Sequence, residues 1–146
     1  MYRSIIRALL LLGMISISTT GCKSDADALA PEDETSKKLE GTWRVKSVTL
    51  TGIDATSFYT NLAVTFAGDQ FTCVNAVDPV WPDRETYTVD HSGDRFVIRR
   101  GDGVDMAVVT ITDQTLILEF DWSGPAAGGR QKGIMGGYQF EFSKAL

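Results

Sequence analysis

Histidine and cysteine are nearly absent: the 146-residue chain has one of the first and two of the second. So small a set of soft ligands cannot build a zinc tetrahedron, and no metal site is expected. The single histidine, His91, lies in a turn ahead of Ser92-Gly93-Asp94, where neighbouring side chains point apart. A serine nucleophile needs a base oriented by a third group, so no catalytic triad is expected and the chain reads as a non-enzyme. Asp102-Gly103-Val104-Asp105 lacks the spacing and closing glutamate of a calcium loop. The glycine-rich stretch 122–136 lacks the Gly-Lys-Ser/Thr ending of a phosphate cradle, so no cofactor is expected. Glu119 and Asp121 share one strand face, but Ile117 and Arg99 or Arg100 nearby mark an exposed charged side rather than a glycosidase pair. Basic residues are also few, 14 against 19 acidic, for a net charge of −5. Nucleic-acid binding relies on clustered Lys and Arg, so no such partner is expected.

What the chain does have begins at its N-terminus. Arg3 and Arg7 accompany an apolar stretch from Ile5 to Ile17, and Ser16, Ser18, Thr19 and Thr20 dilute its end. A spanning helix needs roughly 20 apolar residues, so this stretch reads as a secretory signal. Thr19, Thr20 and Gly21 then lead into Cys22, a run that resembles the lipobox of bacterial lipoproteins. The resemblance implies removal of residues 1–21, acylation of Cys22, and a membrane partner held through acyl chains, since two chains already anchor stably. Cleavage by an ordinary secretory peptidase is the alternative, because Thr19 stands where leucine is usual. Loss of Arg3 and Arg7 takes the basic count from 14 to 12 against 19 acidic residues, leaving no polybasic patch for anionic lipid. With Cys22 acylated, Cys73 has no internal partner and the fold must stand on packing. Cys73 itself, within an alternating stretch, reads as a small buried side chain.

Residues 22–38 are polar and acidic and read as a flexible tether spanning about 20 to 30 Å as a loose coil, with a helical turn at Thr35–Leu39. Residues 39–146 follow as one domain. From Gly41 onward the pattern changes to short runs of period two, rich in Val, Ile, Thr and aromatics and separated by Gly and Asp. That predicts antiparallel strands near 42–50, 62–67, 70–75, 85–90, 95–100, 105–111, 115–121 and 137–144. Gly68-Asp69 suits a two-residue type II′ hairpin. Ala55 to Asn61 allows one irregular turn.

Two longer loops, 76–84 and 122–136, interrupt the meander, and each carries a tryptophan, Trp81 or Trp122. Eight sequential strands leave two unpaired edges unless the sheet closes on itself. The expected fold is therefore all-β, an eight-stranded antiparallel up-and-down barrel, with an interior just wide enough to be packed solid or to hold one small ligand.

Leu39-Glu40-Gly41-Thr42-Trp43-Arg44-Val45 opens this meander with Gly-x-Trp, which resembles the lipocalin-like domains of bacterial lipoproteins of the Bacteroidota type. The turn and strand Ile111–Leu118 and the closing Gly137–Lys144 extend the likeness across Leu39–Lys144. The resemblance implies that Trp43 packs at the closed end of the barrel, often beneath an arginine from near the last strand. This chain offers Arg130 ahead of that strand and Lys144 at its end. It also implies a small apolar or amphipathic ligand, although fold alone never fixes function. The expected lining is Tyr87, Phe96, Ile98, Phe120, Tyr138 and Phe140, with Trp81 and Trp122 as mouth aromatics. The alternative is a packed barrel whose loops bind an envelope protein or glycan, which would favour exposed Trp81 and Trp122. The expected location is the outer membrane, on its periplasmic face or, from Asp25 and Asp27 close behind Cys22, the cell surface.

Overall fold

A computed structural model describes residues 31–124 and 134–146; the leader, Cys22, Arg130 and most of the second long loop lie outside the described residues. Helix α1 (Pro31–Leu39) comes first, followed by strands β1 (Gly41–Leu50), β2 (Ile53–Asp54), β3 (Ala63–Ala67) and β4 (Gln70–Val74). Strands β5 (Arg84–Ser92), β6 (Arg95–Arg100), β7 (Asp105–Ile111), β8 (Thr115–Trp122) and β9 (Gly136–Lys144) complete the chain. Each strand pairs antiparallel with its neighbour, and β9 returns to β1, so β1 and β3–β9 form a closed eight-stranded barrel. The two-residue β2 is an addition that folds back on the end of β1.

Alternation decides which side chains fill the barrel. Along β9, Tyr138, Phe140 and Phe142 are buried while Gln139 and Ser143 face outward. In β1 the inward set changes parity, from Trp43 to Val48, because a bulge lies between Val45 and Ser47; the extra residue returns the apolar side chains to the interior. A second bulge between Val108 and Thr110 does the same for β7. Gly68 adopts φ 62° in the β3–β4 hairpin, as a type II′ turn requires at its first position.

One end of the barrel is closed by α1, which starts nearer the N-terminus than the expected turn at Thr35. Proline is tolerated at a first helical position, and Lys37 and Lys38 in the last turn complement the helix dipole. The stronger reason is tertiary: Thr35 and Leu39 are buried against the barrel end. The Trp43 indole N–H donates to the Leu39 carbonyl at 2.6 Å, and the Lys144 ammonium donates to the Lys38 carbonyl at 2.9 Å. Both satisfy carbonyls that a helix terminus leaves unbonded. The same ammonium sits 4.7 Å from the centre of the Trp43 ring, so a lysine occupies the covering position for which the resemblance implies an arginine. Gly41 makes this closure possible: its φ is +109°, and a Cβ there would lie 3.1 Å from Lys144 Cε. No helix among the described residues is long and apolar enough to cross a membrane.

Candidate functional site

The opposite end of the barrel carries the β1–β3 connection, the loop between β4 and β5, the turn after β6 and the start of β9. The sequence places the expected lining residues correctly on the inner face: Tyr87, Ile98, Phe120, Tyr138 and Phe140 are buried, and Phe96 packs against them half-buried. They line no open lumen, however, because Trp81 fills it. Trp81 comes from a loop, yet it has no exposed surface. Its ring meets Phe71, Phe140 and Phe142 edge-on with centroids 5.6, 5.5 and 5.7 Å away, and Phe120 at 6.1 Å. Such edge-to-face packing suits the aromatic quadrupole. Trp81 is therefore a stopper inside the barrel and not a mouth aromatic. Trp122 is likewise buried, so neither indole offers the solvent-exposed anchor that favours a loop-borne interaction module.

Arg100 holds the stopper in place. Its guanidinium is fully buried, donates to the Val80 carbonyl at 2.6 Å, and is gripped from two nitrogens by the Asp102 carboxylate. It lies 5.8 Å from the ring centres of both Phe71 and Trp81 and 5.9 Å from that of Trp122. The Trp81 N–H is also bonded along the main chain to Val77 at 2.8 Å. The side-chain nitrogens of Trp81 and Trp122 and the Tyr87 hydroxyl have no hydrogen-bond partner among the described residues. Arg100 was readable as an inward residue from its parity with Phe96 and Ile98; its charge concealed it.

Space for a ligand lies above the stopper, at the mouth. A cavity of about 380 Å³ is lined by Leu50, Ala55, Phe58, Tyr59, Val77, Ile134 and Tyr138. Of these, Tyr138 belongs to the expected set and Leu50 ends the first expected strand; the others come from segments read as turn or loop. The aromatic pair Phe58-Tyr59 in the short 3-10 turn Thr56–Tyr59 was the available signal. Phe58 is 76% exposed at the rim while Tyr59 is buried. Tyr59 packs edge-on against Phe140 at 4.9 Å and Tyr138 at 6.0 Å, and Tyr138 stacks on Phe120 at 5.6 Å. The mouth cavity thus rests on the aromatic ladder of the core.

Burial raises the Tyr59, Tyr87 and Tyr138 phenols above their usual range, Tyr59 the furthest. Burial also pushes the Cys73 thiol up to about 12, against the opposing pull of Arg100. A more polar cavity of about 550 Å³ lies beside the turn after β6, between Asp102, Asp105, Asp121 and Trp122. Glu119 accepts from Gln139 at 2.7 Å on the outer face of β8 and, with Asp121, borders a shallow groove of about 380 Å³. His91 is exposed, with its ring 5.2 Å from that of Phe96. No cluster of three metal-ligating side chains occurs among the described residues.

No family model, curated protein or solved structure matches the chain.

Proposed function

We propose that this protein is a lipid-anchored, non-enzymatic cell-envelope lipoprotein whose lipocalin-like barrel binds a small apolar or amphipathic molecule at its mouth. The observation that carries the reading is the 380 Å³ apolar cavity under the exposed Phe58. Its size falls in the range of small-molecule sites, and its lining has the expected few polar groups among apolar ones. A solvated phenylalanine beside such a cavity gains most when a ligand covers it.

The chain geometry gives the site a direction. The tether from Cys22 reaches the barrel at the end closed by α1, whereas the mouth lies about 30 Å away along β1. Acyl chains on Cys22 would therefore tether the barrel by the end opposite its mouth.

Fluorescence titration with N-phenyl-1-naphthylamine, a neutral apolar probe, tests the reading. The purified protein is expected to bind it saturably at one site, and Phe58→Asp to weaken binding about tenfold or more. Linear, non-saturating uptake, or an unaffected Phe58→Asp protein, overturns it. Anchoring is tested separately: labelled palmitate should enter the protein in cells and be lost in Cys22→Ser.

A further inference from the structure

We infer that the mouth end is a lipid-docking surface: Ile53 and Phe58 enter the interfacial layer of a phospholipid bilayer and bring the cavity into apolar contact with it. This rests on the mouth cavity being the ligand site.

The distribution of exposed apolar side chains leads there. Among the described residues six large ones are exposed, and four of them, Ile53, Phe58, Val74 and Met135, stand on the segments that ring the mouth. Scattered singly, such residues need no explanation; gathered at one end, they mark a contact surface. Ile53 and Phe58, 73% and 76% exposed, share the β1–β3 connection.

The backbone holds them out. Leu50 pairs with Ile53 around a two-residue turn whose central residues, Thr51 and Gly52, have φ of 51° and 78°, the signs of a type I′ turn. Glycine takes this conformation freely, whereas a β-branched threonine is strained in it, and strain kept at one place points to function. Past the turn, the Ala55 N–H donates to the Val48 carbonyl at 2.9 Å, the Val48 N–H donates to the Thr56 hydroxyl at 3.0 Å, and the Phe58 N–H donates to the Ala55 carbonyl at 3.0 Å. A connection pinned in this way does not fold Ile53 inward, so its exposure is built in.

Phe58 decides what the partner is. It lines the cavity and also faces solvent, so cavity and rim are one continuous apolar surface. A folded protein seated there would cap the cavity, whereas fluid acyl chains adapt to separate, projecting side chains and leave the path open. Small apolar molecules leave water for apolar surroundings, so the mouth then faces their reservoir. Side chains of this kind hold surface-bound proteins about 5 to 10 Å into the headgroup boundary. From Cys22 to Pro31 the chain advances nine residues, a reach of up to about 30 Å. That matches the length of the barrel, so attachment at the closed end leaves the mouth free to turn onto the bilayer.

Phe58→Trp makes the rim its own reporter, because the native Trp43, Trp81 and Trp122 are all buried. The full chain is mixed with phosphatidylcholine vesicles that carry bromine on their acyl chains, which quenches indoles in contact with the hydrocarbon. Whichever part of the chain holds it to the vesicle, the reporter reads the rim. Val109→Trp, at an exposed position of β7, is the control. Quenching in Phe58→Trp is expected to exceed that in Val109→Trp at least about threefold, and Ile53→Asp in the same chain to remove about half of the excess or more. Equal quenching in the two, or no loss with Ile53→Asp, overturns the docking surface. Naphthylamine titration without vesicles keeps the two readings apart: Ile53 lies outside the cavity lining, so Ile53→Asp should bind the probe as the parent does. Failure of the parent to bind it overturns the ligand site, whatever the vesicles show.

Discussion

Deleting the Trp81 indole is the most direct test of a packed interior. The side chain has no exposed surface, and a buried tryptophan removes up to about 200 Å² from water, worth about 5 kcal/mol at 25 cal/mol per Å². Against this stands its ring nitrogen, buried with no acceptor among the described residues, a cost of about 2 kcal/mol that the truncated side chain no longer bears. Trp81→Ala should therefore lose about 3 kcal/mol, at the low end for a large-to-small core change. Trp81→Phe, which keeps a ring among Phe71, Phe140 and Phe142 and drops the orphaned N–H, should lose about 1 kcal/mol. The assay is urea denaturation followed by far-ultraviolet circular dichroism, with and without free indole. Apolar cavities of this kind stay dry and take up aromatic molecules, so indole should raise the midpoint of Trp81→Ala by more than it raises that of the parent, which offers only its mouth cavity. A Trp81→Ala protein within about 0.5 kcal/mol of the parent would refute the stopper, since that is the range of substitutions outside packed features.

Three further outcomes follow from the closed end, the Arg100–Asp102 pair and the buried acids. Gly41→Ala should lower stability by about 1 to 3 kcal/mol in urea melts, because φ of +109° is strained for any side chain and the new methyl meets Lys144. Asp102→Asn should cost about 2 kcal/mol with little dependence on salt, because it leaves the buried Arg100 guanidinium without its counter-charge; a loss that disappears in 1 M salt would instead mark a surface pair. Stability should also fall at alkaline pH. Cys73 keeps its proton up to about 12 in the folded state against 9.0 for an unperturbed thiol, so its contribution is present below pH 9 and declines above it. The raised phenols of Tyr59, Tyr87 and Tyr138 act in the same sense above 10.0. Phenolate absorbance should then rise together with loss of circular dichroism rather than before it.

The barrel strands were legible to within one or two residues because period two and turn chemistry are local properties. Gly68-Asp69 announces its hairpin, and the parity of Phe96, Ile98 and Arg100 announces one wall. The two-residue β2 carries too little pattern to be seen. Trp81 was misplaced because the prolines on either side of it break the alternation, so nothing local says whether a loop side chain turns inward. The mouth cavity was illegible for another reason: Leu50, Tyr59, Val77 and Tyr138 meet only through the register of distant strands. The turn at Thr35–Leu39 was foreseen from propensity, but its extension to Pro31 depends on burying Thr35 and Leu39 under the barrel.

The β1–β9 seam has a consequence for synthesis. Lys46 and Glu141 meet across it at 2.6 Å from positions 95 residues apart. The ring cannot shut until the final strand is free, and a growing chain carries two sticky margins until then. Contacts so distant form slowly because the loop entropy must be overcome first. A product truncated before Gly136 would keep β1 and β8 as permanent open borders, inviting strand exchange with its copies.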